Sequence, residues 1–306
     1  MAKGKSKKQQ LYLGIAILIV AAGIIMAALD AAGVVSWEEL FSAARLTDKP
    51  VSVVEGELQV HVIDVGQADS VLVTLNGQSM LIDGGNNGDE SIVGKYLTTQ
   101  KITRLSYLVG THPHEDHIGG LDGIVTGFDI DKIYLPKIKD SLVPTTKTYT
   151  DLLEAIQKKR YKVSTAKAGV TFSLDGAEVE ILSPEKDSDN LNNYSAVLRV
   201  TYGNTALLFT GDAEEAIEKE LLNKGVMLKS DFLKVGHHGS NTSSSSAFLK
   251  AVSPELAAIS CGKNNTYGHP SAKVLDRFKT LGVQYNRTDT EGTLVYGSDG
   301  ENVYKK

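Results

Sequence analysis

A single cysteine, Cys261, stands in a chain of 306 residues, so neither an internal disulfide framework nor a cysteine-rich zinc site can be built. That count leaves the compartment open. A basic surplus is missing too: the net charge is −5, and the first ten residues hold four lysines and no acid, which leaves the remainder at −9. So acidic a body argues against broad, non-specific attraction to nucleic acid, although a local basic strip can hide within it. There is no internal repeat and no low-complexity tract beyond Ser243–Ser246, which excludes repeat architectures. A hydrophobic content of 42% and a charged content of 23% are those of a globular chain, with room for one domain of roughly 250 residues or two smaller ones. Histidine is scarce at seven, yet three fall between Thr111 and His117, and none lies between His117 and His237.

What is present begins with Lys3, Lys5, Lys7 and Lys8, followed by an uncharged run from Leu11 to Leu29. Nineteen residues at about 1.5 Å each span roughly 28 Å, close to a bilayer's hydrocarbon core. The lysines predict a basic cytoplasmic tail over 1–10 and a transmembrane signal anchor over 11–29, with the body outside. A cleaved signal peptide would have a shorter apolar core, and no convincing small-x-small site precedes Asp30. A buried core helix would show a polar face, and this run has none. The expected location is the cell membrane, single-pass, with the remaining domain extracytoplasmic.

Residues 30–57 mix small, acidic and polar side chains and read as a linker, with a short helix expected near Trp37–Leu40. From Leu58 the texture changes. Strands are predicted over 58–64, 70–75 and 79–82, with Asn76-Gly77 supplying a hairpin turn. A helix over 91–100, a strand from Leu105 to Val109, a strand over 132–135 and a helix over 150–159 follow. Hairpins are predicted around Asp175-Gly176 and Gly203-Asn204. Helices over 214–223, 247–252 and 271–281 then alternate with strands over 232–235 and 256–260, before a final strand pair. Strands come first as a meander, with helices interspersed later. The pattern predicts two mixed sheets covered by helices.

Thr111-His112-Pro113-His114-Glu115-Asp116-His117 follows the apolar Leu105–Val109 segment, and Ile118-Gly119-Gly120-Leu121 after it looks like a helix start. A loop at a strand's end is where a scaffold can aim several side chains at one point. Neutral imidazole and carboxylate are the ligands that borderline divalent metals such as zinc prefer, with manganese and iron admitted when carboxylates contribute. A polar surface turn does not account for three histidines and an aspartate so close together. The run is expected to bind metal.

The run has the form HxHxDH and resembles the metallo-β-lactamase superfamily of hydrolases. Leu81-Ile82-Asp83-Gly84-Gly85, Thr210-Gly211-Asp212 and His237-His238-Gly239-Ser240 are similar to its further motifs, in the same order. One branch is closer still. His61–Ser70 (HVIDVGQADS), Asn192-Asn193-Tyr194-Ser195 and Gly262–Pro270 (GKNNTYGHP) resemble the hydrolase domain of the DNA-internalisation competence protein ComEC. The likeness covers 58–306 and implies an α/β fold, an αββα four-layer sandwich, with two divalent ions, zinc or manganese, as cofactors. Three departures stand out. Gln67-Ala68-Asp69 stands where the family more often has Gln-Gly-Asp. Such domains are usually carried beside a polytopic channel, and with one apolar segment here any pore is expected from a partner. The wider superfamily's third histidine for the first metal has no counterpart, leaving that position vacant or filled by an oxygen such as that of Asn192.

Residues i and i+2 of an extended loop point the same way, so His112 and His114 can converge on one ion. Asp116 and His117 then face a second, Asp212 can span both, and either His237 or His238 closes the second site. Two ions roughly 3.5–4 Å apart would hold a hydroxide between them and lower its pKa. Asp83 is the expected carboxylate behind a liganding imidazole, against a plain Asp-Gly-Gly turn. Asp212 has a rival reading as a helix N-cap before Ala213-Glu214-Glu215. His61 reads as structural; Asp64 and Asp69 either edge the site or serve turns. His269 is placed as proton donor to the leaving group, against a loop role. Lys263 and Ser240 are candidate substrate contacts, against solvated-loop readings.

The resemblance therefore implies a metal-dependent hydrolase of phosphodiesters, a nuclease acting on single-stranded DNA during uptake. The only modest basic cluster near the site is Lys132, Lys137 and Lys139, which surface solubility explains equally well. A second reading keeps the metals and substitutes a cell-wall phosphodiester, a cyclic nucleotide or a lactone. A third is a non-catalytic surface module with structural metals.

Overall fold

The computed structural model describes residues 50–306 apart from Val53. The basic tail, the 11–29 segment, the Trp37–Leu40 helix and most of the linker lie outside the described residues. Among the described residues, no helix is long and apolar enough to cross a membrane.

Three strands open the domain, β1 (Leu58–Val62), β2 (Val71–Leu75) and β3 (Gln78–Ile82). Asn76 and Gly77 both have positive φ, at 46° and 86°, the turn that matches the twist of a two-residue hairpin. Then come α1 (Glu90–Thr99), β4 (Arg104–Val109), α2 (Glu115–Ile118), α3 (Leu121–Gly127), β5 (Asp129–Leu135), α4 (Lys147–Lys159) and β6 (Val163–Thr165). A second set follows with the same plan: β7 (Val170–Leu174), β8 (Ala177–Ser183), β9 (Val197–Tyr202), β10 (Thr205–Phe209), α5 (Glu215–Lys224), β11 (Phe232–Lys234), α6 (Ser246–Val252), β12 (Leu256–Ile259), α7 (Ala272–Leu281) and β13 (Gln284–Arg287). The short α8 (Thr288–Glu291), β14 (Leu294–Ser298) and β15 (Val303–Lys305) end the chain.

The strands form two mixed sheets, ordered β15-β14-β1-β2-β3-β4-β5-β6 and β13-β12-β11-β10-β9-β8-β7. In each, an antiparallel meander passes into three parallel pairings, β3 to β6 in one and β10 to β13 in the other. Period-two alternation sorts the side chains. Leu58, Val60 and Val62 of β1, with Val71 and Val73 of β2, face Val179, Leu198, Val200, Leu207 and Phe209 across the space between the sheets. The outer face of the first sheet packs under α1, α3 and α4 through Leu97, Leu121, Ile124, Leu152 and Ile156. The outer face of the second packs under α5, α6 and α7 through Leu221, Phe248, Leu249, Val274 and Phe278. The result is the four-layer αββα arrangement, with two sheets and helices on both outer faces.

Parallel strands end on the same side, so the loops after β3, β4, β10, β11 and β12 gather at one edge of the sandwich. Gly119 and Gly120 allow the loop after β4 to press on the loop after β3. A Cβ at Gly119 would lie 2.2 Å from Asn87 N, and one at Gly120 2.3 Å from Gly84 O. Two strands, β6 and β13, were not expected from sequence. Both are edge or near-edge segments with polar, partly exposed residues and no apolar alternation to announce them.

Phe232 sits in the inter-sheet core without exposure, its ring 4.7 Å from Tyr296 and 6.0 Å from Phe209. Phe232→Ala should cost about 3–5 kcal/mol, read as a lower urea midpoint at unchanged slope; a loss below about 1 kcal/mol would contradict this packing.

Candidate metal centre

The edge where the two sheets' loops meet holds every clustered histidine. Asp83, on the left-handed turn after β3 (φ 62°), is buried. Its Oδ1 accepts from Thr111 N (2.7 Å), and its Oδ2 accepts from Thr111 Oγ1 and lies 2.7 Å from His117 Nδ1. With Nδ1 so engaged, the His117 Nε2 lone pair is turned inward. There it lies 3.1 Å from Asp212 Oδ1. That distance alone would suit a hydrogen bond, but the orientation does not, and both atoms are buried without a hydrogen-bond partner. Donor atoms that converge on a shared point, and not on each other, suit an ion there. Ligand atoms of Asp116, His117, Asp212 and His238 all lie within 4.8 Å of one another.

The two candidate histidines after β11 separate cleanly. His237 and His238 both take left-handed backbone (φ 51° and 52°), held by His237 N donating to Gly211 O and Ser240 N donating to His237 O. Bulky residues adopt that region only when their surroundings enforce it. His238 turns inward, its Nε2 3.3 Å from Asp116 Oδ2 and 3.8 Å from Asp212 Oδ2. His237 stays at the rim, 3.5 Å from Asp212 Oδ2, with Nδ1 near Thr242 Oγ1 (3.1 Å) and Glu214. On the other side, His112 Nε2 lies 3.0 Å from His114 Nδ1, so these two imidazoles do converge. Ser195 Oγ, 3.4 Å from His112 Nδ1, accepts from Asp212 N (3.0 Å), which links the two groups.

Asn192 is buried, its Nδ2 donating to Glu214 Oε1 (3.2 Å) while its Oδ1 has no hydrogen-bond partner. His269 is half-buried beside the cluster, its ring centre 5.8 Å from that of His237 and 6.5 Å from that of His238. Lys263 is exposed on the same loop. Ser240 differs from the expected substrate contact. It is buried, its Oγ meets Thr242 Oγ1 (3.1 Å) and accepts from Thr242 N (3.3 Å), so the hydroxyl braces its own loop. His61 lies away from the cluster on the outer face of β1, bonded to Tyr96 OH (2.7 Å), and burial brings its pKa down to about 4. Asp64 Oδ1 accepts from Gly66 N (3.2 Å), a turn contact.

Sequence reasoning gave Asp69 only an edge or turn role and passed over Lys234. Lys234 shares the inward face of β11 with Phe232 and is fully buried. Its Nζ donates to Asp69 Oδ2 (2.7 Å) and Val235 O (3.1 Å). Asp69 Oδ1 lies 3.3 Å from His238 Nδ1, which also meets Ser260 O at 3.1 Å. Asp69 thus lies behind His238 as a nearby charge, its Oδ1 without a hydrogen-bond partner, whereas Asp83 bonds His117 directly. The missed signal is a lysine inside Phe232-Leu233-Lys234-Val235, since a buried ammonium demands a partner.

Asp69, Asp83, Asp116 and Asp212 meet one lysine here, and the histidines answer the surplus of negative charge. Burial holds His112 well below its ordinary value, and His117 beside it adds to that. At His117 burial is overcome by Asp212 and Asp83. Burial likewise opposes the charge on His238, but Asp212, Asp69 and Asp116 together hold it up at about 10. Asp116 is lowered to about 2, the hydrogen bond to His238 and the charge of His117 outweighing its burial. Such a donor set fits divalent cations, which would replace those protons.

Residues 63–263 match the model of the metallo-beta-lactamase superfamily, and the chain belongs to that superfamily. Within it, the chain is 34% identical over 288 residues to competence protein ComA of Neisseria gonorrhoeae, covering 93% of this chain and 39% of ComA. It is 33% identical over 261 residues to ComE operon protein 3 of Bacillus subtilis, covering 79% of this chain and 33% of that protein. The chain therefore spans between a third and two fifths of the length of these relatives. Among solved structures, CmlA, a diiron beta-hydroxylase from Streptomyces venezuelae, shares the fold at a TM-score of 0.51 and 14% identity, over 86% of this chain and 58% of CmlA. The superfamily and the competence branch inferred from the motifs are both found by comparison.

Two predictions test the centre. In the metal-free protein His238 keeps its proton until about pH 10, so metal must displace it throughout the neutral range. Apparent affinity should rise by up to about tenfold per pH unit for each proton displaced, measured by chelator competition at pH 6 and pH 8; a flat profile contradicts it. Lys234→Met strands a buried carboxylate and should cost about 3–5 kcal/mol. The double variant Asp69→Asn/Lys234→Met should recover most of that loss in urea unfolding.

Proposed function

We propose that the chain is a metal-dependent phosphodiesterase acting on single-stranded DNA, with two divalent ions, zinc or manganese, at the seam between its sheets. The observation that carries the reading is the convergence of Asp116, His117, Asp212 and His238 within 4.8 Å, with His117 Nε2 and Asp212 Oδ1 buried and unpaired. Kinship to a protein named for competence, ComA, and the motif likeness to DNA-internalisation proteins support the substrate. His112 and His114 would hold one ion, with Asn192 Oδ1 as an oxygen donor. Asp116, His117 and His238 would hold the other, and Asp212 would span both. When bound, such ions supply an activated water and offset the charge that grows on an attacked phosphoryl group.

The chain's own residues do the rest. Asp83 fixes the Nδ1 side of His117 and the Ser260 carbonyl meets Nδ1 of His238, with the Asp69 charge close behind it, leaving both Nε2 atoms free to ligate. His269 stands beside the ligands and outside their cluster, where an imidazole can pass a proton to the leaving alkoxide. Lys263, exposed on the His269 loop, can meet a phosphate oxygen. The proposal includes anchoring through residues 11–29, with the domain extracytoplasmic and an uptake channel supplied by a partner; the lysines ahead of the apolar run support it.

A second reading, hydrolysis of a small phosphodiester or a lactone, draws on how little of the Lys132, Lys137 and Lys139 cluster is free. Lys139 pairs with Asp189, and Lys132 lies over the Tyr134 ring. Full-length chain loaded with manganese or zinc should cleave single-stranded DNA and lose that activity in EDTA. Asp116→Ala or His114→Ala should lower turnover by at least about 100-fold without unfolding the domain. Cleavage of a lactone or bis-p-nitrophenyl phosphate with none of DNA would favour the second reading, and unchanged turnover in both variants would end the catalytic assignment.

A further inference from the structure

Tyr267 is 72% exposed, about twice as open as the exposed Tyr285 and Tyr304, at 37% and 38%. No described residue bonds its hydroxyl. Yet the loop that presents it is firmly braced. Asn265 Nδ2 donates to Gly262 O (2.9 Å), His269 N donates to Asn265 Oδ1 (2.9 Å), and Gly262 N donates to Gln67 Oε1 (2.9 Å). A braced loop that holds an aromatic ring in water gains nothing from that ring by burial.

The ring is also aligned. Tyr267 stacks on His269 at 5.7 Å and 24°, and His269 lies near-parallel to His238 at 6.5 Å and 22°. Three rings thus step outward from the candidate metal centre, and the outermost keeps one face open. From this geometry we infer that Tyr267 is a stacking platform for a nucleobase of the strand whose phosphodiester is cleaved. This rests on the phosphodiesterase reading above and deepens it. A flat π-face accepts any base, which suits a strand taken without regard to sequence. It also gives an acidic protein an uncharged means of holding DNA. A lactone, or a cell-wall phosphodiester without a base, has nothing to lay there.

The test compares oligothymidylate with an abasic sugar-phosphate strand of equal length, using the manganese-loaded full chain as wild type, Tyr267→Ala and Tyr267→Phe. Losing one stack weakens binding by about 5- to 150-fold. Tyr267→Ala should therefore raise KM for oligothymidylate by about tenfold with little change in kcat. It should leave the abasic strand unaffected, and Tyr267→Phe should match wild type on both. Fluorescence anisotropy of labelled oligothymidylate on metal-free chain should show the same loss of affinity for Tyr267→Ala. Equal effects on both strands, or none on either, would overturn the assignment of Tyr267 while leaving the phosphodiesterase reading standing. Failure of the wild type to bind or cleave either strand would remove both.

Discussion

A lysine and an aspartate, both buried and drawn from opposite sheets, fix the register on which the metal centre depends. Lys234 projects from β11 into the seam, and Asp69 comes from the loop between β1 and β2. Neither charge is tolerable alone away from water, so the pair forms only when the two sheet edges are in place. Asp69 does more than neutralise. Its N–H donates to Asp116 O, its carbonyl accepts from Gly85 N, and its Oδ1 stands behind His238. Next to it, Ala68 O accepts from Ser260 Oγ (2.7 Å). Loops following β3, β4, β11 and β12 are thereby tied to one short segment. A centre whose ligands come from both sheets needs such a tie, because a small sliding of one sheet would separate His117 from His238.

Much of this was legible in the sequence, and the reasons are local. Asn76-Gly77 and Asp175-Gly176 announced hairpins because both turns need positive φ at successive residues, and both have it. The core strands were legible through alternation, and the helices through apolar faces such as Leu152 and Ile156 of α4. The ligand-rich run was legible from residue type alone. Three things were not. The choice between His237 and His238 turns on a left-handed backbone that no neighbouring residue requires. The role of Asp69 depends on Lys234, 165 residues away, a pairing that exists only after the sheets meet. The likeness between the two sheets, each a meander running into parallel strands, is a likeness of topology and leaves no repeat in the residues.

That shared topology puts the chemistry where it is. Each half ends parallel strands at the same edge, which is where open α/β sheets place ligands. Each half also contributes an imidazole with a carboxylate behind it, His117 bonded to Asp83, and His238 held at Nδ1 by Ser260 O with Asp69 3.3 Å away. Asp212 lies where the two meet, touching His117 with one oxygen and the His237–His238 pair with the other.

Burial gives the centre a direction. His112, His117, His238 and Asp212 are buried, whereas His114, Asp116, His237 and His269 are only partly so, and Tyr267 lies open beyond them. The more open side of the centre is therefore that of the less buried ligands and the His269 loop. Carboxylates crowd the centre: Asp69, Asp83, Asp116 and Asp212 face a single lysine, and only the charges held on His117 and His238 offset the rest. On the phosphodiesterase reading, a scissile phosphate would gain little there with no cation bound, although a base could still lie on Tyr267. Cations at the seam would reverse the local sign, and the carboxylates that would repel a phosphodiester would become the means of holding what attracts it.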